Sequence, residues 1–190
     1  QGPSTATLIN VVSNVAGISG VNYAEVISSV YSYENTTSGQ TSFRIVGVSN
    51  TSRVYDGLTV KSGASLLGEN ETLVWAGSTG ANEMELDSTV TLNITYWVYP
   101  QDERALTVNL RVVGSVYLDD KAYAIASGNL YGPVLYRPAL QQPVFGDNLL
   151  IVSWERTLRK LLDEVSSEST SNDPFTTQIL VYVDRDALVN

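Results

Sequence analysis

The chain has 190 residues, 43% of them hydrophobic and 16% charged, with 14 Gly and 6 Pro, a composition that suits one compact domain and argues against disorder. It has no His and no Cys, which removes disulfides, thiol redox chemistry, Ser-His and Cys-His nucleophile systems and the usual zinc and haem ligands, leaving carboxylates, hydroxyls and Lys/Arg for any chemistry. With 11 Lys and Arg against 20 Asp and Glu, the net charge of −9 repels phosphate backbones and anionic headgroups and makes nucleic acid a poor partner.

The chain opens Gln1-Gly2-Pro3-Ser4 without Met, as removal of a signal peptide would leave, although a trimmed chain would look the same; secretion is the expectation. The apolar stretch from Thr5 to Val21 is interrupted by Asn10, Ser13, Asn14 and Gly17 and falls short of the roughly 18 to 20 residues that span a bilayer. Within it Ile9, Val11 and Val15 share one parity and Ala6, Leu8 and Val12 the other, the pattern of a strand buried on both sides. Residues 1–21 are therefore expected to be an extended apolar segment in front of a single domain, 22–190. Such a strand either closes its own sheet as an ordinary first strand or fills the open groove of another subunit by donor-strand complementation.

In chain order, Tyr23, Val26, Ile27, Val30 and Tyr31 fit helical spacing and predict a short N-terminal helix, while their β-branched and aromatic character suits a strand equally. Ser42 to Ser49, Arg53 to Lys61 and Thr72 to Ala76 read as short strands between turn residues. The clearest pattern is Val90, Leu92, Ile94, Tyr96 and Val98 alternating with polar residues, followed after Pro100-Gln101-Asp102-Glu103 by Leu106, Val108, Leu110 and Val112, a predicted hairpin. Val116 to Leu118, Ala122 to Ala126, Leu149 to Val152 and Gln178 to Val183 continue the series of strands, and residues 131–147 read as an extended loop. Leu158, Leu161, Leu162 and Val165 behind a capping Ser153 predict one amphipathic helix in the C-terminal half. The expected fold is mainly β, an antiparallel β-sandwich or jelly roll.

Sequons stand at Asn35, Asn50, Asn70 and Asn93, in turn sequence or on a polar strand parity, and each Asn is expected to face solvent as a glycosylation acceptor. Glu83, Glu85 and Asp87 would share one face of an extended chain and could hold Ca²⁺, but no D-x-D-x-D-G loop is present and solvated turns are the stronger reading of these acids, of Asp119 and Asp120, and of Asp184 and Asp186. No cofactor, metal site or catalytic residue is expected, and nothing sets two carboxylates at a glycosidase spacing. Tyr96, Trp97, Tyr99, Tyr117, Tyr123, Tyr131 and Tyr136 offer rings for a sugar-binding groove, though most would serve as core or surface filler; Trp97 and Tyr99, on the parity opposite Tyr96, need solvent, a second layer or a partner.

The apolar N-terminal segment, the Cys-free β-rich body and the four sequons together resemble subunits of archaeal extracellular filaments of the thread and bundling-pilus type. The resemblance is one of architecture over the whole chain, with no diagnostic motif. It implies a secreted, non-enzymatic structural protein that polymerises head to tail with copies of itself for adhesion or surface architecture, contacting surface glycans or neighbouring filaments. By position it makes Thr5, Ala6, Thr7, Leu8, Ile9, Asn10, Val11, Val12, Ser13, Asn14 and Val15 the donor strand, and Asn35, Asn50, Asn70 and Asn93 the glycan sites. Two other readings stay open: a monomeric extracellular binding module for carbohydrate or protein that uses Trp97 and Tyr99, and a calcium-dependent assembly subunit.

Overall fold

Ser4 caps the first element by accepting a hydrogen bond from the Thr7 N–H at 3.3 Å. In this computed structural model, which describes residues 4–37, 39–78, 84–98, 102–127, 148–168 and 174–184, that element is a helix, α1 (Thr5–Ala16). Thr5, Leu8, Val12 and Val15 form its covered stripe while Ile9 and Val11 face out, so the apolar residues that satisfy a period of two also satisfy one of 3.6. The cap at Ser4 and the stop at Gly17, whose N–H bonds back to Ser13 and Asn14, favour the helix. Leu8 enters the main core, the Thr5 hydroxyl donates to Asp163 at 2.7 Å, and α1 packs on strands of its own chain. The expectation of an extended donor segment over Thr5–Val15 is thereby corrected: its backbone groups are engaged along the helix and its apolar stripe is covered within the chain.

The reverse exchange follows. Residues 23–31, predicted as a helix, lie in β1 (Val21–Thr36), where alternate residues feed two different cores: Val26 and Val30 one, Ile27 the other. β-Branched and aromatic side chains prevail over an accidental helical spacing. After β1 come β2 (Gly39–Val48), a 3-10 turn (Arg53–Gly57), β3 (Leu58–Gly63), β4 (Glu71–Trp75), β5 (Thr89–Val98) and β6 (Asp102–Leu118). The chain continues through α2 (Asp120–Ala126), β7 (Asn148–Ser153), a π-helical turn (Trp154–Leu158), α3 (Arg159–Glu168) and β8 (Phe175–Val183). Segment 53–61 thus divides into a turn and a strand. Segment 122–126, expected as a strand, is helical because Asp119 accepts the Ala122 N–H at 2.7 Å and the run is rich in Ala. The predicted loop 131–147 lies outside the described residues.

The strands form one mixed sheet, which corrects the expected antiparallel sandwich. β2 pairs β7 in parallel and β4 pairs β6 in parallel, whereas β1–β2, β4–β7, β5–β6, β1–β8 and β3–β6 are antiparallel. Alternation reports which face a residue takes and is silent on strand direction. Because β1 pairs β2 on one edge and meets β5 at Tyr33–Asn93 on the other, the path β1-β2-β7-β4-β6-β5 returns to β1. The predicted hairpin stands in register, with Val90 opposite Leu110, Leu92 opposite Val108 and Ile94 opposite Leu106.

One core lies on the inner side of this path. There Phe43, Ile45, Leu92, Ile94, Leu110, Leu150 and Val152 meet Leu158, Leu161, Leu162 and Val165 of the π turn and α3. The helix prediction holds, with Ser153 accepting the Arg156 N–H at 3.3 Å and Arg156, Lys160, Asp163 and Glu164 exposed. Where Leu158 lies on β2, residue 47 is Gly, and a Cβ there would stand 2.5 Å from the Leu158 side chain. The second core, on the outer side, joins Ile27, Val46, Val48, Leu149 and Ile151 to Val54 of the 3-10 turn and Ala122, Ile125 and Ala126 of α2.

At the start of β4, Glu71 accepts the Gly68 N–H at 2.6 Å and pairs with Arg111, its partner in register on β6. The Gly68 hydrogen bond first, and Arg111 second, hold its carboxyl below the usual carboxylate range. A lowered folded-state pKa makes this contribution complete above the ordinary value near 4.5 and lost as pH falls below it. Glu71→Gln should therefore lower Tm at neutral pH, with the gap to wild type narrowing progressively as pH falls below 4.5; a gap that keeps its full size throughout the acid range would contradict the assignment.

Candidate functional site

Inward alternation in β5 fixes what faces out. With Leu92, Ile94 and Tyr96 buried, Thr91, Asn93, Thr95 and Trp97 take the outer surface. The register sets Asn109 opposite Thr91, Thr107 opposite Asn93 and Glu103 opposite Trp97. The Thr91 hydroxyl donates to Asn109 Oδ1 at 2.8 Å and the Thr107 hydroxyl donates to Asn93 Oδ1 at 2.9 Å. These bonds fix the amides in a row of neutral polar groups.

Tyr33 stands opposite Asn93, which brings the outer residues of β1 to the same surface: Tyr31, Tyr33 and Asn35. On β2 they face Arg44, Ser42 and Gln40 respectively. The Arg44 guanidinium lies 5.5 Å from the Tyr31 ring centroid, donates to Ser29 Oγ at 3.0 Å and bonds the Ser127 carbonyl at the end of α2, so that a cation and a ring are held together. Tyr31 is 50% exposed and Trp97 42%. Glu103 is the only acid among these outward residues of β1, β2 and β5 and their partners Asn109, Thr107 and Glu103.

Of the four sequon asparagines, Asn35, Asn50 and Asn70 are exposed, and Asn70 adopts a left-handed conformation at φ 54°. Asn93 lies on the outer face of β5 as its parity implies, half-buried, with its carbonyl oxygen engaged by Thr107. Two sequon hydroxyls serve the fold: Ser52 is buried and accepts the Val54 N–H at 3.1 Å, and Thr72 is buried and donates to the Ile151 carbonyl at 3.1 Å.

The acidic groupings disperse. Glu85 and Asp87 are exposed, Asp87 pairing with Arg111 at 3.3 Å, Asp119 caps α2, and Glu83 and Asp186 lie outside the described residues. Among the described residues, no group of three carboxylates gathers to hold a metal ion. Tyr96 lies inside and donates to Glu168 at 2.9 Å, Tyr123 packs on Trp75 with centroids 4.5 Å apart, and Lys61 lies 5.8 Å from the Tyr117 ring. Tyr99, Tyr131 and Tyr136 are outside the described residues. The sequence singles out Trp97 but does not join Tyr33, Asn35 and Arg44 to it, because they meet only through the register of β1 with β2 and β5. The period-two run Val30, Ser32 against Tyr31, Tyr33, Asn35 is the signal that finds them.

No family model and no curated protein matches the chain. Among solved structures it is similar to the extracellular domain of a noncanonic ABC-type transporter, YknZ, from Gram-positive bacteria, at 12% identity and a TM-score of 0.47 over 92% of this chain and 72% of that one. It is also similar to the periplasmic region of MacB from Actinobacillus actinomycetemcomitans, at 14% identity and a TM-score of 0.48 over 94% of this chain and 65% of that one. These neighbours are transporter domains, not filament subunits. With Thr5–Ala16 helical and docked within the chain, the expected head-to-tail pilin-type polymer is withdrawn.

Because both rings are about half exposed and Tyr31 also meets Arg44, Tyr31→Ala and Trp97→Ala should each cost no more than about 1 kcal/mol in urea unfolding. A loss of several kcal/mol at either position would show that the ring is a packing element and remove it from the site.

Proposed function

We propose that the chain is a non-catalytic domain that binds a partner protein outside the cytoplasm through the outer surface of β2, β1, β5 and β6. The observation that carries this reading is the chemistry of that surface. Tyr, Trp and Arg are the residue types concentrated in binding hot spots, while Lys, Glu and Asp are depleted there. On a chain of net charge −9, this surface presents Tyr31, Tyr33, Trp97 and Arg44 among Ser, Thr and Asn side chains with a single acid. Rigid rings supply contact area at low entropic cost, and the small hydroxyls and amides around them supply adaptable hydrogen bonds.

The extracytoplasmic setting is supported by the exposed sequon residues Asn35, Asn50 and Asn70, whose glycosylation belongs to the proposal. The absence of His and Cys from the sequence supports binding over catalysis, and the binding requires no cofactor.

The test compares wild type with the Tyr31→Ala/Trp97→Ala double variant as immobilised baits for surface proteins of cells that express the chain. Wild type should retain a protein saturably, the double variant should retain it at least about tenfold less well, and free saccharides should not compete. Equal retention by the double variant, or competition by saccharides, would contradict the reading.

A further inference from the structure

At the opposite end of β1 the register with β8 sets Tyr23 against Tyr182, and Glu25 follows two residues later on the same face. The two ring centroids are 5.7 Å apart at an interplanar angle of 36°. The segment after β2 crosses over them: the Tyr23 hydroxyl donates to the Thr51 carbonyl at 2.9 Å, and the Arg53 backbone N–H donates to Glu25 Oε1 at 3.3 Å. The Tyr182 hydroxyl also donates to Oε1, at 2.9 Å. The Arg53 guanidinium carbon lies 5.8 Å from the Tyr23 centroid and 5.7 Å from that of Tyr182, within reach of both π faces.

One atom in this arrangement is unpaired. Glu25 is 3% exposed, and its Oε2 is buried without a hydrogen-bond partner, a costly state for a carboxylate oxygen that a donor would relieve. A negative charge beneath two ring faces selects a positively charged donor. Arg53 does not bond that oxygen: its guanidinium lies over the rings and pairs with Asp56 at 3.2 Å, and its side chain is half exposed. It can therefore swing into solvent without opening either core.

We infer that Tyr23, Tyr182 and Glu25 form a receptor for an alkylammonium or guanidinium group, whose place Arg53 of the same chain holds when no ligand is bound. The rings form the walls, Glu25 Oε2 accepts the ligand's N–H, and Arg53 is a displaceable lid. The box lies away from the Tyr31 and Trp97 surface and does not rest on the function proposed for it. Burial and the neighbouring Glu25 raise the Tyr182 phenol above its ordinary value, so it remains the donor that orients the carboxylate.

Two probes separate the sources of such a group: methylguanidinium for a free amine-type ligand, and a capped Gly-Arg-Gly peptide for the side chain of a partner protein. Binding is followed by NMR at the Tyr23 and Tyr182 rings and at the Arg53 side-chain N–H. In wild type a bound probe should release Arg53, its N–H moving to the solvent-exposed position, and Glu25→Gln should weaken binding about tenfold. Arg53→Met, which keeps the apolar stem and removes the charge, should bind methylguanidinium about tenfold more tightly than wild type. Tighter binding of the peptide assigns the box to a protein side chain, and tighter binding of methylguanidinium assigns it to a free ligand. If neither probe shifts the two tyrosine rings saturably in wild type or in Arg53→Met, or if Glu25→Gln leaves the affinity unchanged, the inference is overturned.

Discussion

β7 is six residues long and every one of them is buried, and this single strand joins everything else. Its backbone pairs along its whole length in parallel with β2 and, over Leu150–Val152, antiparallel with β4, so the middle of the strand is hydrogen-bonded on both edges. Its side chains divide by parity: Leu150 and Val152 enter the inner core with α3, and Leu149 and Ile151 enter the outer core with α2 and the 3-10 turn. Each fully buried Leu or Ile contributes about 1.5–3 kcal/mol, and here those contributions couple two cores that meet through the sheet. Without β7, β2 and β4 have no common neighbour and the closed strand path opens.

That arrangement decides where the chain can present a surface. On the outer side, the second core covers β1 at Ile27 and β2 at Val46 and Val48, under α2 and Val54. Farther along the same two strands the outward residues become Tyr31, Tyr33, Arg44 and Ser42, and β5 and β6 extend the polar run with Thr91, Asn93, Thr107 and Asn109. The change from apolar to polar along one face of one strand marks the limit of the packed helix and the start of the surface assigned to a partner. Toward the other end of β1, Tyr23 and Glu25 are closed over by the segment that leads into the 3-10 turn. A single 16-residue strand thus carries the proposed partner surface, a buried core and a carboxylate box in succession.

The readable parts of the sequence were those with a single periodic solution. Val90–Val98 of β5 and Leu106–Val112 of β6 alternate and pair as expected, and Leu158, Leu161, Leu162 and Val165 admit only a helix. Thr5–Ala16 and residues 23–31 exchanged their identities because each window satisfies both periods, and the deciding factors were a cap at Ser4 and the pairing of β1 with strands far along the chain. The parallel pairings were illegible, since strand direction leaves no mark on alternation. The candidate surface was half legible: the parity of Trp97 exposed it, while Arg44 and Tyr31 join it only through the register of β1 with β2. The box at Glu25 had no local signal, as Tyr182 lies 157 residues from Glu25.

Native-state hydrogen exchange tests the central place of β7 most directly. If β7 is the wall shared by both cores, the amides of Leu149 to Val152 exchange only through global unfolding, at the slowest rate in the chain and with the full denaturant dependence of unfolding. Exchange of those amides through a local opening, faster than that of Leu92 to Ile94 in the β5–β6 hairpin, would show that the two cores are held independently and would contradict the account.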